Sequence, residues 1–452
     1  MGKASKSSGN QRQQPQPSKA TGWRSITARG IARRIAPYLG GLCLLAVIQV
    51  SDVAQTLDLL LYDLITTLRP AASGNKQPIT IIGIEENDIQ RLGWPIDDGL
   101  FCEGIDLLGK NGALAIGFDI YRDQGVGPNQ ACLRKRFRTD PRLVSIFNLA
   151  SGIPAIPGTP QLQQSYNDIS LDHDNVIRRD LVHVTNQNKA TVAFPLRIVE
   201  VATGDKQLRQ EIEASTSANT WLTANSGGYF RETNAGLGIQ RLLLFREPGS
   251  FKTFSLSELL DGSIPNEAIQ DHMVLIGSTA PSLRDLYEVP HSRFSKGAMQ
   301  FFMPGVEIHA LRIAALVDQQ NGQLVQGFVM PGWGNLWITL LTAGAGLALG
   351  EAFLTLRRSV LVVVTTLVAV SASLMILLVN YVWIGTIMPV AGMAIMAGSA
   401  WLRRGVVSQQ HQQQIKRLLG QATSPAIAKQ LWEKRDQLLK NGRFEGQQLP
   451  VT

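Results

Sequence analysis

Apolar residues are arranged in two ways along this chain. Four continuous apolar segments lie at 36–57, 336–356, 359–380 and 382–402, and the mostly polar stretch 58–335 carries only short apolar runs. A hydrocarbon core about 30 Å thick takes about 20 apolar residues as a helix. LWITLLTAGAGLALGEAFLTL, SVLVVVTTLVAVSASLMILLVN and VWIGTIMPVAGMAIMAGSAWL each supply that length. The pattern predicts four transmembrane helices. The first is the weakest: its charge-free part runs from Ile35 to Ser51, so Asp52 and Asp58 must sit near the far interface or against protein.

Inside 58–335 the pattern changes period. ITIIGIEENDIQRLG passes from an apolar run through acids into a helical spacing, FCEGIDLLGKNG reads as a helix, and GALAIGFDIYRD repeats the apolar run, which together make a βαβ unit. RLVSIFNLA, LVHVT, RLLLF and HMVLIGST read as further strands, the last preceded by the helix SLSELLDG. Near-continuous Ile/Val/Leu strands imply a sheet covered on both faces. The fold class is therefore an α/β domain with a mixed, largely parallel sheet, plus four transmembrane α-helices. Residues 204–235 show little periodicity and are expected to be an irregular insertion.

Charge orients the chain. No acidic residue precedes Asp52, whereas eight Lys and Arg do; Arg357–Arg358 separate the second and third segments and Arg403–Arg404 follow the fourth. The net charge of +8 divides as +8 over residues 1–51, +2 at Arg357–Arg358 and +6 after the fourth segment, which leaves −8 for 52–356. By the positive-inside rule both termini are cytoplasmic and 58–335 is extracytoplasmic. The basic balance thus reports topology, and nucleic-acid binding is not read from it. Residues 1–35 form a basic cytoplasmic arm whose Ser/Gln/Lys/Pro-rich start is expected to be disordered. The first apolar segment begins too far from the N-terminus for a cleaved signal peptide and reads as a signal anchor. Cys43 falls in the membrane; Cys102 and Cys132 lie outside, where they are either a disulfide or two buried thiols.

Ligands of an open parallel sheet bind beyond the carboxyl ends of its strands. Those ends carry Glu85, Glu86, Asp119, Ser278 and Thr279. Glu85 and Asp119 follow consecutive parallel strands and as a pair would hold a cation or an amine, or do acid–base work; alternatively they cap the next helices or pair with Arg122 and Arg284. The histidines are scattered without metal-ligand spacing, no G-x-S-x-G elbow occurs, and GDK and GST lack the rest of a phosphate loop. Metal, hydrolase and nucleotidase chemistry are unsupported. Asp52, Asp58 and Glu351 are too few and too near segment ends for a conduction path.

The ordered series YDLITTLRP, ITIIGIEENDIQRLGWP, GALAIGFDIYRD, DHDNVIRRDLVH, FSLSELLDG, HMVLIGSTAPSLRDLYEVP and MPGVEIHALRIAAL, followed by three closely spaced apolar segments, resembles the CHASE extracytoplasmic sensor domain of the second subclass. The matching positions are Trp94, Pro95, Asp119, Arg178, Arg179, Asp285, Pro290, Gly305, Glu307 and His309. The resemblance implies a bacterial inner-membrane sensor for an unknown extracytoplasmic ligand or stimulus, and adds Asp285 to the candidate ligand-binding set. His309 is expected to be a packed histidine rather than a ligand.

Residues 403–452 read as a cytoplasmic signalling linker. QQHQQQIKRLL continues helically from the last segment, Ser424–Pro425 starts a second helix and Asn441–Gly442 stops it. SPAIAKQLWEKRDQLLKNGRFEGQQLPVT resembles the linker into a class III adenylate cyclase. That implies a homodimer in membrane lipid, with a catalytic domain after residue 452 that uses Mg or Mn and ATP to make cyclic AMP. The two metal-binding aspartates such a cyclase needs have no counterpart after Gly405, so no catalytic residue, cofactor or metal is assigned within 1–452. The alternatives are a histidine-kinase or other output, or a stand-alone sensor acting through a partner.

Overall fold

The computed structural model describes residues 21–69, 77–186, 189–214, 221–223, 225–229, 238–246, 249–294, 302–322, 327–352, 355–422, 439–440 and 443–444. The expected disordered start and the helix expected after Ser424–Pro425 lie outside these residues.

The first apolar segment is divided. Helix α1 (Thr21–Val50) stops before Ser51–Asp52, and α2 (Val53–Leu68) begins again. The single span expected at 36–57 is therefore corrected. Ala54, Asp58, Leu59, Tyr62, Ile65 and Thr66 recur at helical spacing and are buried, so α2 is a helix of the folded domain. Asp58 does sit against protein, as its charge required.

The main sheet has six strands in the order β4-β3-β2-β10-β1-β9, and every neighbouring pair is parallel. They are β1 (Ile79–Ile84), β2 (Ala115–Asp119), β3 (Leu143–Phe147), β4 (Gln164–Tyr166), β9 (Lys252–Ser255) and β10 (Met273–Ser278). Helix α3 (Glu86–Leu92) follows β1, and α4 (Asp98–Lys110), α5 (Gln130–Thr139) and α8 (Leu256–Leu260) cover one face. There Ile82, Ile116, Phe118 and Ile276 pack with Phe101, Ile105, Phe137 and Leu259. On the other face Ile79, Ile81, Val144 and Leu275 meet Phe194 and Ile198 of α6 (Phe194–Thr203) and Val306 and Ile313 of α10 (Gly305–Gln320). Successive strand residues thus enter opposite cores, and each large side chain so buried contributes about 1.5–3 kcal/mol. Gly117 and Gly277 make the second face possible, because a Cβ would stand 2.6 Å from Phe194 and 2.7 Å from Val306.

LVHVT and RLLLF contribute to a second, antiparallel sheet of β5 (Ser170–Leu171), β6 (Ile177–Asn186), β7 (Lys189–Val192) and β8 (Ile239–Leu242). The mixed character expected of one sheet is thus shared between two. Helix α7 (Gln207–Ala214) occupies part of the stretch expected to be irregular, and α9 (Pro290–Phe294) lies between β11 (Leu286–Tyr287) and its antiparallel partner β12 (Met303–Pro304). Cys102 of α4 and Cys132 of α5 are joined in a disulfide, the first of the two alternatives.

After β13 (Phe328–Val329) come α11 (Gly332–Glu351), α12 (Leu356–Val379), β14 (Val382–Trp383), α13 (Ile387–Ala422) and a hairpin of β15 (Leu439–Lys440) and β16 (Arg443–Phe444). Among the described residues two helical stretches, not the expected four, are long and apolar enough to cross a membrane: Ile31–Val50 and Leu356–Val379. Only 6% and 11% of their apolar windows are buried, unlike the core helix of a soluble protein. Trp333, Asn335 and several glycines dilute α11, and Arg403–Arg404 cut short the apolar part of α13.

The chain divides into two compact units. One comprises Ile48–Thr342 and Thr366–Ala391 and holds both sheets; the other comprises Met1–Val47, Ala343–Thr365 and Gly392–Thr452. Within the second, Gly41 stands against Ser399 and Gly350 against Ala400, the small-residue packing that lets helix backbones approach in lipid. Glu351 accepts hydrogen bonds from Tyr38 Oη (2.6 Å) and Arg403 Nε (2.8 Å), tying α11 to α1 and α13.

Candidate functional site

The six residues expected to form one site separate into two groups. At the end of β1, Glu85 is the N-cap of α3: its backbone N–H donates to Asp88 Oδ2 (2.9 Å) in a capping box. Burial and the neighbouring Asp88 raise the Glu85 pKa. Glu86 accepts from the Ser282 N–H (2.7 Å), and Thr279 Oγ1 donates to the Ile84 carbonyl (3.3 Å). Glu85 is therefore a helix cap rather than half of a pair with Asp119. Arg122, its other expected partner, pairs with Asp98 at 3.2 Å. Asp88 also receives the Ser257 N–H of α8 (3.0 Å), so one buried carboxylate serves two helix starts.

At the ends of β2 and β10 the grouping is different. Asp119 accepts from Asn167 Nδ2 (3.2 Å), Asn167 Oδ1 accepts from Tyr121 Oη (2.7 Å), and Tyr121 Oη accepts from Asn148 Nδ2 (3.0 Å). Its carboxylate neighbour is Asp285, whose side chain Gly305 leaves room for: a Cβ there would lie 2.6 Å from Asp285 Oδ2. Burial, and then the like charge of Asp285, push the Asp119 pKa up to about 7. Asp285 is raised by burial as well. Ser278 Oγ is buried without a hydrogen-bond partner among the described residues.

His309 closes this group from α10. Its Nδ1 faces Arg312 Nη1 at 3.2 Å, and a guanidinium only donates, so Nδ1 is the acceptor and Nε2 carries the proton, 3.7 Å from Asp119 Oδ2. Burial, reinforced by Arg312, holds the His309 pKa well below its ordinary value. With Phe194 edge-on at 5.2 Å, this is the packed histidine expected.

The twin arginines of DNVIRRD build a third group. Arg178 donates from Nε and Nη2 to Asp63 of α2 (2.6 and 2.7 Å), from Nη1 to Asp172 (2.8 Å) and Asp174 (2.9 Å), and again from Nη2 to Asp174 (2.8 Å). Arg179 donates to Asp172 (2.6 Å) and Gln240 (2.9 Å), and Arg293 of α9 to Asp174 (2.7 Å). Burial opposes the charge of Arg178, but Asp63 and Asp174 overcome it and raise its pKa. Despite its own burial, Asp174 is held down to about 2 by Arg178.

Next to that cluster lies a junction of helix ends. Asp58 Oδ1 accepts from the backbone N–H groups of Thr386 (2.8 Å) and Ile387 (3.1 Å) and from Thr386 Oγ1 (2.5 Å), capping the start of α13. Asn335 of α11 donates to the Gly227 carbonyl (2.6 Å) and accepts from the Gly385 N–H (3.3 Å). The Trp383 ring lies edge-on to Tyr62 at 4.8 Å, over Gly227, whose φ of +58° and missing Cβ admit the indole. Asp58 was visible in the sequence as an acid needing the interface or a protein partner, but that the partner is the α13 start depends on residues more than 300 positions away.

The chain thus combines a parallel α/β sheet with two helical stretches long and apolar enough to cross a membrane. Residues 40–350 match the family profile described as CHASE2 domain, and the chain belongs to that family of sensor domains of signalling proteins. No curated protein and no solved structure matches it.

Proposed function

We propose that this chain is the sensing and membrane-spanning part of a bacterial adenylate cyclase, which carries an extracytoplasmic stimulus to cyclic AMP synthesis on the cytoplasmic side as a dimer. The observation that carries the coupling is the Asp58 cap. It fastens the first helix of the sensor to the first residues of α13, a single helix that continues to Ala422. A shift of α2 is thereby a shift of the α13 start. Exposed apolar side chains on α11, Trp337, Leu340 and Leu341 among them, favour α11 as a further span. With α13 as the fourth, every basic cluster falls on the cytoplasmic side. The cyclase output is supported by the linker-like tail.

Two measurements test this. In a Cys43→Ala background, an impermeant thiol reagent on intact cells is expected to label Lys206→Cys and not Ser408→Cys; the reverse pattern overturns the topology. In a fusion of residues 1–452 to a class III cyclase domain, one residue inserted after Gln410 rotates the downstream residues by about 100°, while seven nearly restore the phase. The single insertion is expected to change basal cyclic AMP output severalfold and the seven-residue insertion little. Equal, near-normal output from both rejects transmission through α13.

A further inference from the structure

Beside the junction, within the unit that holds both sheets, is a partly open cavity whose roughly 640 Å³ of empty space includes the solvent at its mouth. Its apolar wall comes from Tyr62 of α2, Trp221, Tyr381 and Trp383. Its polar wall comes from Arg69 at the end of α2, Arg241 of β8 and Gln319 of α10.

Two donors of this lining have no acceptor among the described residues: Arg69 Nε and Arg241 Nη2. Arg241 is only 7% exposed, so its guanidinium is largely withdrawn from bulk water. A buried donor left unmade is costly, which makes two around one cavity an anomaly that a ligand would resolve. Charge points the same way. Asp180 is shared by Arg241 (3.1 Å) and Arg312 (2.6 Å), and Arg69 has no carboxylate partner among the described residues. Arg69 instead lies with Cζ 4.2 Å from the Tyr381 ring centroid and donates to the Leu378 carbonyl. The lining itself holds two guanidiniums and no carboxylate, so the missing group is an anion. The aromatic wall asks for an apolar body behind it.

We propose that this cavity binds a small amphipathic anion, with a carboxylate or phosphate head at Arg69 and Arg241 and an acyl or aromatic body against Tyr62 and Trp383. Its occupant would be the stimulus; that role rests on the sensor reading, whereas binding does not. Because Leu378 ends the apolar helix α12, such an anion would arrive either from solution or as a lipid from the outer leaflet.

The test uses the full chain in nanodiscs of neutral lipid, read by tryptophan fluorescence and by thermal midpoint. Decanoate is expected to shift both, and decanol, which lacks the charge, to need at least about tenfold more. Arg69→Met and Arg241→Met should each weaken decanoate at least about tenfold, while Arg91→Met, at an exposed pair with Asp261, should not. Arg241→Lys, which keeps the charge beside Asp180, guards against a folding defect and should bind between wild type and Arg241→Met. Nanodiscs doped with phosphatidylglycerol that reproduce the shift and block decanoate assign the site to lipid; decanoate binding unaffected by them assigns it to a soluble acid. Equal potency of decanol and decanoate, unchanged binding in both Met variants, or no response to either anion overturns the proposal. Decanoate binding that leaves cyclic AMP unchanged in the cyclase fusion rejects its role as stimulus and leaves the site standing.

Discussion

Arg178 and Arg241 rise from paired strands of the same antiparallel sheet, and both are buried, yet they are treated in opposite ways. Arg178 spends its guanidinium on five hydrogen bonds to three carboxylates. Arg241 makes one to Asp180 and one to Gln319 and leaves Nη2 unmatched. A guanidinium that is saturated and neutralised fixes geometry, because any movement breaks several strong bonds at once. One that is short of acceptors is only stable while something else completes it. The first joins α2 to the antiparallel sheet and α9 at Asp63; the second borders the cavity that Tyr62 of α2 also lines. The helix that reports to α13 is thus gripped at Asp63 and open to influence at Tyr62.

Breaking the saturated member should have the largest effect. Arg178→Met leaves the buried Asp63 with only the more distant Arg293 at 3.6 Å, although Asp172 retains Arg179, and removal of one partner from a buried ion cluster costs about 3–5 kcal/mol. Thermal unfolding of the full chain in detergent is expected to show the drop. A midpoint equal to wild type would mean that the cluster is not part of the fold's stability. Arg241→Met, the other half of the comparison, should cost less, about 1–2 kcal/mol, because Asp180 retains Arg312 at 2.6 Å. If the two substitutions cost the same, the contrast between a clamp and an incomplete site fails.

The ease with which the sequence disclosed these features differs for a physical reason. The strands β1, β2, β3 and β10 announce themselves because both faces are covered, which leaves unbroken Ile/Val/Leu runs. Strands β4 and β9 are short and polar, QSY and KTFS, and carry no such signal. The acids at the strand ends were legible as positions, but their partners were not: Asp119 meets Asp285 and His309 through a sheet order in which β10, far along the chain, lies beside β2. The cavity was less legible still. Its lining draws on β8, α10 and the turn at Tyr381, and an unpaired nitrogen has no sequence pattern. The overlong first span has a similar cause, since the leucine-rich start of α2 continues the apolar run although that helix buries one face in protein.

The junction gives an intermediate effect. Asp58→Ala removes three accepted hydrogen bonds from the α13 start and is expected to cost about 1–2 kcal/mol. Asp58→Asn keeps an acceptor and should be close to neutral at about pH 5, where burial, which pushes the Asp58 pKa up to about 6, leaves the carboxyl mostly protonated. In the cyclase fusion Asp58→Ala should uncouple output from stimulus while Asp58→Asn should not. Output unaffected by Asp58→Ala would show that the cap is structural only.

The smallest effect is a difference in pH dependence at Asp119. With a folded pKa of about 7 against about 3.9 in an unfolded chain, Asp119 holds a proton in the folded state that it loses on unfolding throughout that interval. The stability this contributes is complete below about pH 4 and is lost as pH rises through 7. His309 works in reverse: its depressed pKa makes the fold lose stability as pH falls below about 6.5, so the two partly cancel in the wild-type profile. Asp119→Asn removes only the first contribution and leaves an acceptor for Asn167. The midpoint of wild type minus that of the variant should therefore grow as pH falls from 8 to 5, whatever the wild-type curve does by itself. A difference that stays flat over that range would mean that Asp119 is ionised in the fold and that its neighbour at the sheet edge is not a second negative charge.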